Sequence, residues 1–162
     1  MGYIWLDCES LSIRPAKSGR RRRVQRFKLS SSSPSLHQGA HIVIADEKAG
    51  LLEMMVRTLR GADHCVFQAY DGQAAFELTL ALRDIDLLIT NTRMPGMNGP
   101  ELIRYVRKKL PTLPILYIQN QDQPAQLPPP LPKNVPILRE PFTAEQLLAA
   151  VQLLLQRDGK SK

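Results

Sequence analysis

Residues 85–99, Ile85-Asp86-Leu87-Leu88-Ile89-Thr90-Asn91-Thr92-Arg93-Met94-Pro95-Gly96-Met97-Asn98-Gly99, carry the pattern from which the fold is read. The apolar run Ile85, Leu87, Leu88, Ile89 is short and β-branched at its ends, as a buried strand requires, and it stops at Thr90-Asn91. A Pro/Gly turn follows, and Pro100-Glu101 then opens a helical pattern that buries Leu102, Ile103, Val106 and Leu110. Pro100 suits the first turn, where its missing N–H costs nothing. A strand that enters a loop and then a helix places that loop at the strand's carboxyl end. In open α/β sheets, sites are built along that edge.

The same alternation runs outward in both directions. His41 to Ala45 reads as a buried strand ending at Asp46-Glu47, and a helix follows with Leu51, Leu52, Met55, Val56 and Leu59 on one face, stopping near Gly61. Cys65 to Ala69 is a second strand, after which Asp71 caps a helix that turns Ala74, Ala75, Leu78 and Leu82 inward. Pro114 to Ile118 and Val135 to Arg139 complete five strands, the last an edge strand because Pro136 cannot donate a ladder hydrogen bond. Thr143 with Gln146 three residues on is a capping box for the final helix, whose inward face is Leu147, Leu148, Val151, Leu154 and Leu155. Strands alternating with helices predict an α/β, doubly wound, five-stranded parallel sheet with right-handed crossovers.

The Met-Pro-Gly-Met-Asn-Gly run after the third strand resembles the receiver domain of bacterial response regulators, in which that strand ends in a phospho-accepting aspartate. The resemblance covers nearly all of residues 41–156 and implies a CheY-like (flavodoxin-like) strand order of 2-1-3-4-5. It also assigns site positions, and most of them are substituted. The phosphoacceptor falls on Asn91; of the acidic pair after the first strand, Ala45 and Asp46, only Asp46 remains, followed by Glu47. The hydroxyl position falls on Gln119, the lysine on Glu140 in Glu140-Pro141-Phe142, and the aromatic switch position on Ile137. The family's Lys-Pro bond implies a cis Glu140-Pro141 peptide.

These changes are chemically legible. An amide is far too weak a nucleophile to attack phosphorus. Mg²⁺ takes hard, preferably anionic oxygens, and Asp46 is the one family ligand retained, so no metal site and no cofactor is expected. Glu140 in place of lysine turns a phosphate clamp into a phosphate repellent. The expected function is therefore a stand-alone pseudo-receiver of two-component signalling, with no catalytic residue, acting by contact with a protein such as a sensor kinase or an output protein. A phospho-receiver with an atypical site, a nucleic-acid-binding protein using its tail, and, more distantly, a flavodoxin-like enzyme are the rivals. No Gly-rich phosphate loop, nucleophile elbow or zinc spacing supports the last.

Composition bounds the rest. With 43% hydrophobic residues, the 162-residue chain can bury one ordinary core. Its net charge of +7 is unevenly placed: residues 1–40 hold eight Lys/Arg against two acids, and the remainder fourteen against thirteen. Residues 1–39 form the expected basic, Ser-rich tail, 40–157 the receiver-like domain, and 158–162 a C-terminal tail. The Arg20-Arg21-Arg22-Arg23 block is either a contact for nucleic acid or another anionic surface, or a solvated arm. No apolar run reaches the roughly 18 residues a membrane span needs. Cys8 and Cys65 match no metal or redox spacing, which points to two ordinary thiols in a reduced, cytoplasmic protein. One segment departs from the family: Gln121 to Asn134 carries Pro124, Pro128, Pro129, Pro130 and Pro132 where the fourth helix belongs. Each proline in a helix interior costs about 3 kcal/mol, so that helix is expected to be lost or shortened to a stub. Leu127 to Pro132 is either a groove-binding polyproline segment or a stiff connector.

Overall fold

The structure is a computed structural model that describes residues 39–120 and 130–158. The expectations for the tail, including Arg20 to Arg23, and for residues 121–129 of the proline-rich segment lie outside the described residues.

Five parallel strands form one sheet in the order β2-β1-β3-β4-β5, namely β1 (His41–Ala45), β2 (Cys65–Ala69), β3 (Leu87–Asn91), β4 (Ile115–Asn120) and β5 (Ile137–Glu140). Four helices flank it among the described residues: α1 (Ala49–Arg60), α2 (Gly72–Ala81), α3 (Gly99–Lys109) and α4 (Ala144–Asp158). This is the doubly wound, CheY-like order that the resemblance implied. Pro130 to Pro136 contribute no helix between β4 and β5.

Side chains alternate across a strand, and both faces of this sheet are covered, which is why its strands read as unbroken apolar runs. Ile42, Ile44, Leu87, Ile89, Leu116 and Ile118 pack with the inward faces of α1 and α4. Val43, Ala45, Leu88, Ile115 and Tyr117 pack with α2 and α3 on the other side. The expected inward residues of α4 hold their places, with Leu147, Val151 and Leu154 buried. Its capping box is formed as well: Gln146 N donates to Thr143 Oγ1 at 3.3 Å, and Thr143 N to Gln146 Oε1 at 2.9 Å. Asp71 caps α2 by accepting from Ala74 N at 2.7 Å.

Strand ends shift from the periodic reading for identifiable reasons. β3 begins at Leu87, not Ile85, because Asp86 serves the neighbouring strand instead, its carboxylate accepting from His41 N at 2.8 Å. Pro114 and Pro136 lie outside β4 and β5 yet still supply carbonyls, to Leu88 N at 3.1 Å and Tyr117 N at 3.0 Å. A proline keeps its acceptor while lacking a donor. At the end of α1, Gly61 stays right-handed at φ −63°, and Asp63 takes the left-handed turn at φ 63°. Cys8 lies outside the described residues, and with it the expectation about the pair of thiols. No helix among the described residues is long and apolar enough to cross a membrane.

Candidate functional site

Because all strands are parallel, β1, β3, β4 and β5 finish on the same edge. Register carries the alignment across that edge: Ala45 lies opposite Thr90, Asn91 opposite Ile118, Gln119 opposite Arg139 and Asn120 opposite Glu140. Asp46, Asn91, Gln119 and Glu140 are thereby brought to one end of the sheet. Glu140-Pro141 is cis, as the resemblance implied.

Asp46 is wholly buried. Its Oδ1 accepts from Lys48 N at 2.7 Å, which closes the loop leading into α1, while Oδ2 has no hydrogen-bond partner. Burial pushes the Asp46 carboxyl up from its ordinary value, and the nearby Glu140 charge adds to the rise. The Lys48 amide, the Asn91 side chain and the Lys48 charge oppose it.

Asn91 is buried at the last position of β3, and its Oδ1 accepts from Thr92 N at 2.6 Å. Thr92 ties the same turn to β4 through Oγ1 donating to Ile118 O at 3.1 Å. The loop then returns: Gly99 N donates to Thr92 O at 3.1 Å. A Cβ at Gly99 would collide with the Asn91 carbonyl oxygen, so only glycine permits this approach. Gly96, at φ 74°, makes the preceding turn. Asn98 then caps α3 in a reciprocal box, accepting from Glu101 N at 2.9 Å while Asn98 N donates to Glu101 Oε2 at 3.1 Å. The sequence spells that box as Asn98-x-x-Glu101, a signal available without coordinates.

Glu140 closes the site from β5. Its Oε2 accepts from Lys48 Nζ at 3.0 Å, with the side chains 16% and 40% exposed respectively, and its Oε1 is buried without a partner. Lys48 was not singled out from sequence. The one available signal was indirect: an acid at the cation position calls for a counter-charge, and Lys48 is the base nearest to Asp46 along the chain. Gln119 is half-buried on β4, and Ala45 is buried with no group to offer a metal or a phosphoryl oxygen. Glu47 is exposed, so the expected acidic pocket of Asp46 and Glu47 is corrected: the acid that accompanies the buried Asp46 is the part-buried Glu140. Ile137, at the switch position, is 46% exposed.

A family model for the response regulator receiver domain matches residues 42–152. The chain belongs to that family. The response regulator MprA of Mycobacterium ulcerans is 31% identical over 117 residues, covering 72% of this chain and 50% of that protein. The sensor kinase CckA of Brucella abortus is 25% identical over 129 residues, or 75% of this chain and 13% of that one. Among solved structures, the chemotaxis response regulator CheY4 of Vibrio cholerae superposes with a TM-score of 0.62 at 26% identity, covering 72% of this chain and 98% of its own. This receiver domain therefore spans half or less of the length of those two curated relatives.

The donor chemistry of this receiver domain does not fit the Mg²⁺ that the family implies. Among the described residues no three His, Cys, Asp or Glu side chains converge as a metal-holding group. The carboxylate facing Asp46 comes from Glu140, and it already carries an ammonium at 3.0 Å.

Proposed function

We propose that this receiver domain works in two-component signalling without taking up a phosphoryl group, as a protein-interaction module rather than an enzyme, in the cytoplasm. The observation that carries the reading is Glu140 with its own counter-ion. A carboxylate bonded to Lys48 stands where the resemblance puts the phosphate-clamping lysine, at the same sheet edge as an amide in the acceptor position. An incoming phosphoryl group would meet repulsion from Glu140 and Asp46 and find in Asn91 no oxygen able to attack. The partner is a sensor kinase or an output protein, since receiver segments of this kind match within a response regulator and within a sensor kinase.

The test is acyl-phosphate formation on the full chain. Incubation with acetyl phosphate and Mg²⁺ leaves the intact mass unchanged on this reading. A mass increase of one phosphoryl group, lost on treatment with hydroxylamine, sinks it in favour of an atypical phospho-receiver.

A further inference from the structure

The pocket holds two buried carboxylate oxygens with no hydrogen-bond partner: Asp46 Oδ2, from the loop just after β1, and Glu140 Oε1, from the last residue of β5. Asp46 is wholly buried, so bulk water offers it nothing. Two acids in such surroundings call for a cation, because an uncompensated buried charge is expensive. One residue serves both. Lys48 donates its backbone N–H to Asp46 Oδ1 at 2.7 Å and its ammonium to Glu140 Oε2 at 3.0 Å. Its ammonium also favours the Asp46 charge through space.

An ammonium is a compact point charge with three donors, and it makes a poor mimic of an octahedral metal ion but an adequate neutraliser of two carboxylates. It is tethered to the loop that Asp46 opens, so unlike a bound ion it cannot diffuse away. We propose that Lys48 is the resident cation of this pocket, standing in for the divalent ion of the fold, and that removing its charge uncovers a latent divalent-cation site formed by Asp46 and Glu140. The two oxygens left without partners would become ligands, and the site would differ from the family's in drawing one carboxylate from β5. This deepens the phosphorylation-independent reading and rests on it, because a pocket with its own fixed cation has no need of a metal.

The test compares full-length wild type with Lys48→Met, Lys48→Arg and the double variant Lys48→Met/Glu140→Gln. The probe is Mn²⁺ alone, read by the EPR signal of the free ion and by melting temperature against Mn²⁺ concentration. Lys48→Met is expected to bind Mn²⁺ at least about tenfold more tightly than wild type, ligand charge being what tunes such sites. Lys48→Arg keeps the wild-type response, and the double variant loses the gain. If Lys48→Met is poorly folded, Mn²⁺ must raise its melting temperature, since a ligand bound only by the folded state stabilises it. A Lys48→Met response to Mn²⁺ no stronger than that of wild type, or a gain that survives Glu140→Gln, overturns the proposal. A phosphoryl adduct on wild type would overturn the functional reading instead, so the two failures are told apart.

Discussion

Asp46 keeps a carboxylate at a dry edge of the sheet, and stability should report its cost. Its folded-state pKa lies above the ordinary 3.8, chiefly through burial. The folded state therefore holds the proton more tightly, and the stabilisation from this group is complete below 3.8 and lost as pH rises through the folded value. At neutral pH the buried charge works against folding. Asp46→Asn keeps an oxygen for Lys48 N and removes the charge, so it should stabilise at pH 7 by about 1 kcal/mol. Thermal melts at pH 7 and pH 4 should show that gain shrinking in acid. His64 shows the opposite sign. Its Nδ1 accepts from Ala40 N at 3.2 Å, and desolvation lowers its pKa below the usual 6.5. The unfolded chain then binds the extra proton first, and stability falls as pH drops through 6.5 toward the folded value. His64→Gln should flatten urea midpoints between pH 7.5 and 5.5. At this scale Asn91 and Glu140 were legible because each stands at a fixed offset from a recognisable run. Lys48 was not, since nothing local marks a lysine that pairs with a residue 92 positions away.

The loop from β3 into α3 is the element on which the site's shape depends. It combines a close approach of Gly99 to the Asn91 carbonyl with the Asn98–Glu101 box. Gly99→Ala should destabilise by about 1–3 kcal/mol, because a methyl group forces backbone against backbone. Asn98→Ala should cost about 1 kcal/mol through loss of the cap. Equilibrium unfolding in urea checks both, with an unchanged slope expected if only the native state is affected. Helices and strands here were readable from periodicity and punctuation, and their ends less so. The start of β3 shows why: Asp86 spends its carboxylate on His41 N across the sheet, an interaction that has no counterpart in the local pattern.

For the whole molecule, the site is a product of four strand ends, and no single reversion should restore family chemistry. Asn91→Asp supplies a nucleophile yet leaves Ala45 unable to bind a cation and the Glu140–Lys48 pair in place. It should take up no phosphoryl group from acetyl phosphate and Mg²⁺. Uptake should emerge only in the combined variant Ala45→Asp/Asn91→Asp/Glu140→Lys, as read by intact mass. Labelling of Asn91→Asp by itself would mean that the inverted charge at Glu140 matters little. The parallel sheet makes this cooperation unavoidable, because register aligns Ala45, Asn91 and Glu140 through neighbouring strands.

The sequence by itself determined the alternation of strands and helices, the two-faced burial of the sheet, most helix caps and the substitutions at the site positions. Those features rest on backbone periodicity, turn chemistry and bonds spanning only a few residues, all of which a linear string records. Only the tertiary structure decided that Lys48 answers Glu140, that Asp46 Oδ2 and Glu140 Oε1 are buried without partners, and that Glu47 faces outward. Ion pairs and desolvation depend on distance through space, and that distance is set only when the sheet has closed the chain upon itself.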